Sequence, residues 1–140
     1  RWRFMTRVPA PGNPKEGEMN EPAADKNIDI EEDLCTVTCK PVGGNVAVKR
    51  GHKIKWKTQG KSFEFKLDFR LKPVDGFATP SAPWPFGTSP PPKEGNNSTG
   101  WVKDGSFTGT IAFDEGVFEY DVLVPCGSGL AVLDPMIIVK

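Results

Sequence analysis

Few residues in this chain are equipped to do chemistry. There is one histidine, His52, and there are three cysteines, Cys35, Cys39 and Cys126. Soft metals such as copper favour thiolate, thioether and imidazole ligands. His52, Cys126 and Met136 offer one of each, an alternative metal set. A thiolate site drawn from Cys35, Cys39 and Cys126 is the other soft-metal option. As a general base, His52 would need an orienting carboxylate. Its neighbours are instead Lys49, Arg50 and Lys53. Gly127-Ser128-Gly129 has the outline of a nucleophile elbow, but that motif needs a helix behind it and a strand follows here. The expectation is a non-enzymatic protein with no catalytic residue, no metal site and no cofactor.

The cysteines also bear on the compartment. In a strand, Cys35 and Cys39 would sit about 13 Å apart, while a disulfide tolerates at most about 7 Å between Cα atoms. A bridge from one of them to Cys126 is the better pairing, with one thiol left over. Three reduced cysteines are the alternative. An extracytoplasmic setting is expected, periplasmic or secreted, with a cytoplasmic one left open.

Binding candidates are more numerous than catalytic ones. Trp84, Phe86 and Trp101 lie in or beside a Pro-rich stretch, where exposed aromatics could stack on sugar rings or anchor in a protein partner's pocket, the alternative being that they fold back and cap the sandwich end. Lys53, Lys55 and Lys57 would form a basic stripe on one sheet face. That stripe could hold an acidic partner or the chain's own acidic segment 16–33. Trp2 and Phe4 alternate with Arg1 and Arg3, which suits an arm that adds a strand to a neighbour. Asn96-Asn97-Ser98-Thr99 holds two overlapping glycosylation sequons.

These residues need a scaffold to position them. The chain has 140 residues, room for one domain with one core. Lys plus Arg and Asp plus Glu both number 18, and a neutral total argues against a nucleic-acid partner. The middle, residues 34–72, is nonetheless basic, with acidic flanks on both sides. No apolar run approaches the roughly 20 residues of a membrane span. No export signal is visible at the start, so such a segment is expected to have been removed or never to have existed. The 15 glycines and 14 prolines interrupt the chain too often for a helical bundle.

Residues 1–33 read as an extended arm, broken by Pro9, Pro11, Pro14 and Pro22. Strands are expected from Leu34 to Lys40, Val46 to Val48, Lys53 to Lys57, Phe63 to Arg70, Ser106 to Phe113, Val117 to Val124 and Met136 to Val139. The clearest is Phe63-Glu64-Phe65-Lys66-Leu67-Asp68-Phe69-Arg70, where apolar and charged residues alternate strictly. The same alternation would put Met136 in the core. Residues 72–104 form a long irregular, Pro-rich loop. The expected fold is an all-β, antiparallel Greek-key sandwich of about seven strands over residues 34–140.

Three motifs in this order resemble a known family. Val48-Lys49-Arg50-Gly51-His52-Lys53-Ile54-Lys55-Trp56 resembles the V-x-x-G-D-x-V-x-W strand pair of cupredoxins of the plastocyanin and azurin type. Gly116-Val117-Phe118-Glu119-Tyr120-Asp121-Val122 resembles their G-x-Y-x-Y-x-C strand. Asp134-Pro135-Met136-Ile137-Ile138-Val139 looks like the D-P-x-I-x-V closing strand of cupredoxin-like proteins. The resemblance implies a β-sandwich and, ordinarily, electron transfer at one copper. The ligand positions do not carry over. The first histidine belongs near Ser62 or Phe63, the cysteine at Val122 and the axial methionine at Leu133. His52 stands where the family has an acidic turn residue. The resemblance therefore implies a cupredoxin-like domain without the usual copper ligands, serving as a binding or structural module. The alternatives are a copper protein with non-standard ligands and a subunit or domain of an enzyme.

Overall fold

A computed structural model describes residues 25–140. Trp2 and Phe4, and with them most of the expected arm, lie outside the described residues. Nine strands follow in chain order: β1 Lys26–Asp33, β2 Thr36–Lys40, β3 Val46–Val48, β4 Lys53–Thr58, β5 Lys66–Leu71, β6 Ser106–Thr110, β7 Gly116–Cys126, β8 Gly129–Leu133 and β9 Met136–Val139. They form two sheets. One has the order β2-β1-β4-β6. In the other, β8 and β9 both lie along one side of β7, β3 lies outside β9, and β5 pairs with the opposite side of β7. The two-sheet β-sandwich expected from the sequence is present.

Several details differ from the sequence reading. The sheets are mixed rather than antiparallel throughout, because β1 runs parallel to β4 and β3 runs parallel to β9. The sandwich also begins before residue 34, since β1 is one of its central strands. Ile28 and Ile30 are fully buried, but they alternate with Asp29 and Glu31, and so much charge makes the segment read as an arm. In register, Asp29 lies between Lys40 of β2 and Lys57 of β4, and Lys40 Nζ pairs with Glu31 at 3.5 Å. The basic stripe thus lies beside the chain's own acidic segment.

The third difference is β8, a strand in a stretch to which the sequence reading assigns none. β7 and residues 129–139 form one long hairpin around a two-residue turn at Gly127 and Ser128. Gly127 has φ 61°, a conformation that favours glycine. The register of β8 on β7 continues unchanged into β9, and the Tyr120 amide donates to the Pro135 carbonyl between them. Pro135 has no N–H to return, which splits the arm into two strands. Met136 is half-buried rather than core, since it is Ile137 and Val139 that turn inward.

The core is aromatic. Trp56, Phe69, Trp84, Phe86, Phe107 and Tyr120 form a network of ring pairs with centroids 5.1–6.2 Å apart, mostly edge to face. Its polar atoms are matched in a chain. The Trp56 indole N–H donates to the Tyr120 hydroxyl at 3.2 Å, which donates to the Gly44 carbonyl at 2.6 Å. A Cβ on Gly44 would come within 3.1 Å of that hydroxyl, and its φ is 74°, so glycine is required there twice over.

Candidate functional site

The positions where the resemblance places copper ligands hold no imidazole, thiolate or thioether. Val122 and Leu133 face each other as a cross-strand pair between β7 and β8, and Val122 is fully buried. Phe63 is half-buried against the core. Neither a thiolate nor a thioether stands where the family's pattern needs one, so this donor set does not fit copper.

The displaced alternative fails on placement. Cys126 is bonded to Cys35, with Cα atoms 5.6 Å apart, and offers no thiolate. That bridge is the favoured cysteine pairing. His52 lies at the opposite end of the sheet, beyond the length of β1, which is roughly 25 Å. Its Nδ1 accepts the Lys49 amide at 3.1 Å and closes a turn. Met136 is held through its amide to Asn45 Oδ1 at 2.8 Å. The three-cysteine site also fails, because the bridge consumes two and leaves Cys39 alone and buried. Burial first, then the nearby carboxylates Asp29 and Glu31, push its thiol from an ordinary 9.0 up to about 12. Among the described residues, no three His, Cys, Asp or Glu side chains converge to hold a metal ion.

Trp84 and Phe86 are not surface anchors. They are 3% and 1% exposed and fold back into the core. The Trp84 indole N–H donates to the Pro90 carbonyl at 2.9 Å, pinning the Pro-rich loop over them. The loop also closes part of the β6 edge, through Thr110 N–H to Ser89 O and Ala112 N–H to Pro85 O. The second sequon is occupied as well, since Asn97 Nδ2 donates to the Phe69 carbonyl.

Trp101 is different. Residues 97–102 run along the outer edge of β5, with Asn97, Thr99 and Val102 bonded to Phe69, Leu67 and Phe65. Val102 turns inward and Trp101 stays half-buried at the surface, with Lys66 Nζ 5.1 Å from its ring centre. Between this segment and β6 runs a groove of about 550 Å³. Trp101, Phe107, Pro90 and Pro91 give it apolar walls, and Lys93, Lys103 and Asp104 give it charge. Thr110 turns its amide away from β4 to Ser89, so by alternation Ser106 and Thr108 turn theirs toward the groove. Phe107, Lys93 and Lys103 were not singled out in the sequence, where they read as a strand residue and loop charges. Only the sheet arrangement brings them to Trp101.

Lys53, Lys55 and Lys57 are exposed on β4 as expected. They do not form an isolated cationic surface. The Lys53 amide donates to Asp25 Oδ1 at 3.0 Å, and β1 carries its carboxylates alongside. Nearby, Lys61 Nζ lies 2.9 Å from Glu32 and Lys40 Nζ lies 3.5 Å from Glu31.

No protein-family model matches the chain, and no curated protein sequence matches it. Solved structures similar to it include reduced rusticyanin, at 16% sequence identity and a TM-score of 0.39, with 84% of this chain and 81% of that one covered.

Proposed function

We propose that this chain is a non-catalytic binding module on a cupredoxin-like sandwich that does not use copper. It would act as an accessory or assembly domain that recognises a protein partner. One observation carries the reading: the groove beside Trp101 joins an aromatic wall, flanking lysines and outward-turned strand amides on a rigid support. Such a groove suits an extended peptide, which gains main-chain hydrogen bonds from a strand edge and specificity from side-chain pockets. A carbohydrate is the second reading, favoured by the exposed part of the Trp101 ring.

The non-enzymatic part of the proposal draws on His52, whose Nδ1 is engaged by its own turn. An extracytoplasmic setting is supported by the Cys35–Cys126 bridge, since such bonds persist in oxidising compartments. The test is a binding screen of the protein against a peptide library and an oligosaccharide array, repeated with Trp101→Ala. Hits whose affinity falls roughly tenfold or more in the variant are expected. Hits indifferent to the substitution, or none in either class, would remove the groove from the account.

A further inference from the structure

Three large apolar side chains are exposed among the described residues: Leu34 at 89%, Leu130 at 52% and Val132 at 53%. All three lie on the two hairpins joined by the Cys35–Cys126 bridge. Leu130 and Val132 belong to β8, which among the described residues pairs only with β7. The Tyr120 amide bonds the Pro135 carbonyl, so residues 129, 131 and 133 turn their backbone groups toward β7. Leu130 and Val132 therefore turn theirs to the open edge. The same two residues present both unpaired backbone and exposed apolar side chains.

Two other edges are closed by the chain itself. Residues 97–102 cover β5, and residues 85–89 cover part of β6. β2 carries Lys40 and alternating threonines. Among the described residues no segment hydrogen-bonds to the outer edge of β8, although β2 of the facing sheet lies near it, and residues 127–133 contain no charge. An uncharged, apolar strand edge is a template for pairing with another chain.

We propose that β8 pairs antiparallel with β8 of a second copy, forming a two-fold symmetric dimer with one continuous sheet. Its own register selects this occupant. Centring the pair on Ala131 sets Leu130 opposite Val132 of the second copy, and Val132 opposite its Leu130. Both residues of each pair carry the outward backbone groups, so their hydrogen bonds are satisfied reciprocally. Their side chains share one face, continuous with Leu123 beneath Val132. Asp134 then falls opposite Ser128, so no like charges meet. The contact is small beside the roughly 1,200–2,000 Å² of a stable complex, so the dimer is weak and concentration-dependent.

Sedimentation of the full chain from micromolar to millimolar concentration tests this. The expected result is a monomer–dimer equilibrium, with amide exchange at Leu130 and Val132 slowing as the dimer fills. Leu130→Lys and Val132→Lys should each weaken dimerisation roughly tenfold or more without changing the thermal midpoint of the dilute protein. A monomer at every concentration would overturn the proposal. So would a dimer that survives both lysine variants. A dimer lost in Trp2→Ala/Phe4→Ala but kept in Leu130→Lys would replace it with strand exchange through the N-terminal segment.

Discussion

Cys39 shows how burial decides what a reactive residue type can do. Its thiol stays protonated because desolvation, reinforced by Asp29 and Glu31, holds it up to about 12. Tyr120 is shifted upward for the same main reason, burial of its hydroxyl, which the Trp56 hydrogen bond only partly offsets. Both groups keep a proton in the folded chain that the unfolded chain releases earlier. Their contribution to stability is therefore complete below the unfolded values and is lost as pH rises through the folded ones. Stability should decline from about pH 9 toward pH 12, by up to ~1.4 kcal/mol per pH unit for each group. Denaturant titrations across that range check the slope, and a flat profile would contradict it. In the same range Cys39 should resist thiol reagents until the protein unfolds. The cysteine pairing was partly legible in the sequence, because strand spacing disfavours Cys35–Cys39. The burial of Trp84 and Phe86 was not, since prolines around an aromatic residue say nothing of which way the loop folds.

Among the elements, β6 and the Pro-rich loop depend on each other. Gly109 lies in the middle of β6, and a Cβ there would sit 2.5 Å from the Phe86 ring. The missing side chain is what lets the loop insert Phe86 against Trp56 and Phe69. Gly109→Ala should therefore destabilise the fold by about 1–3 kcal/mol, the usual cost of overpacking a core, read from chemical denaturation. A change within about 0.5 kcal/mol would show that Phe86 moves aside freely. The strong alternation of β4 and β5 was readable because their outer faces are charged and their inner faces apolar. β1 was hidden by its acidic outer face and its two inner isoleucines. β8 was hidden because Gly129-Leu130-Ala131-Val132-Leu133 shows no alternation of apolar and polar residues.

The whole molecule is held by one clamp and one core. The Cys35–Cys126 bridge closes a loop of 91 residues between the β1–β2 turn and the tip of the β7–β8 hairpin. Chain entropy puts such a closure at about 4–5 kcal/mol. The bridge also leaves Cys126 with no thiolate to offer a metal. Titration with Cu(II) and Cu(I) should accordingly yield no stoichiometric site and no intense thiolate charge-transfer band. An intense band at one equivalent would restore the electron-transfer alternative.

What the sequence determined by itself follows from local rules. Alternation and turn residues specify a β-sandwich, cysteine spacing makes Cys126 the better bridge partner while leaving three reduced thiols open, and composition leaves a single imidazole. The tertiary structure decided what depends on neighbours distant in the chain. It set two parallel strand pairs, buried Trp84 and Phe86, gathered Trp101 with Phe107 into a groove, and left β8, among the described residues, paired on one side only. Whether an apolar side chain is buried or displayed depends on what packs over it, and strand periodicity does not carry that information.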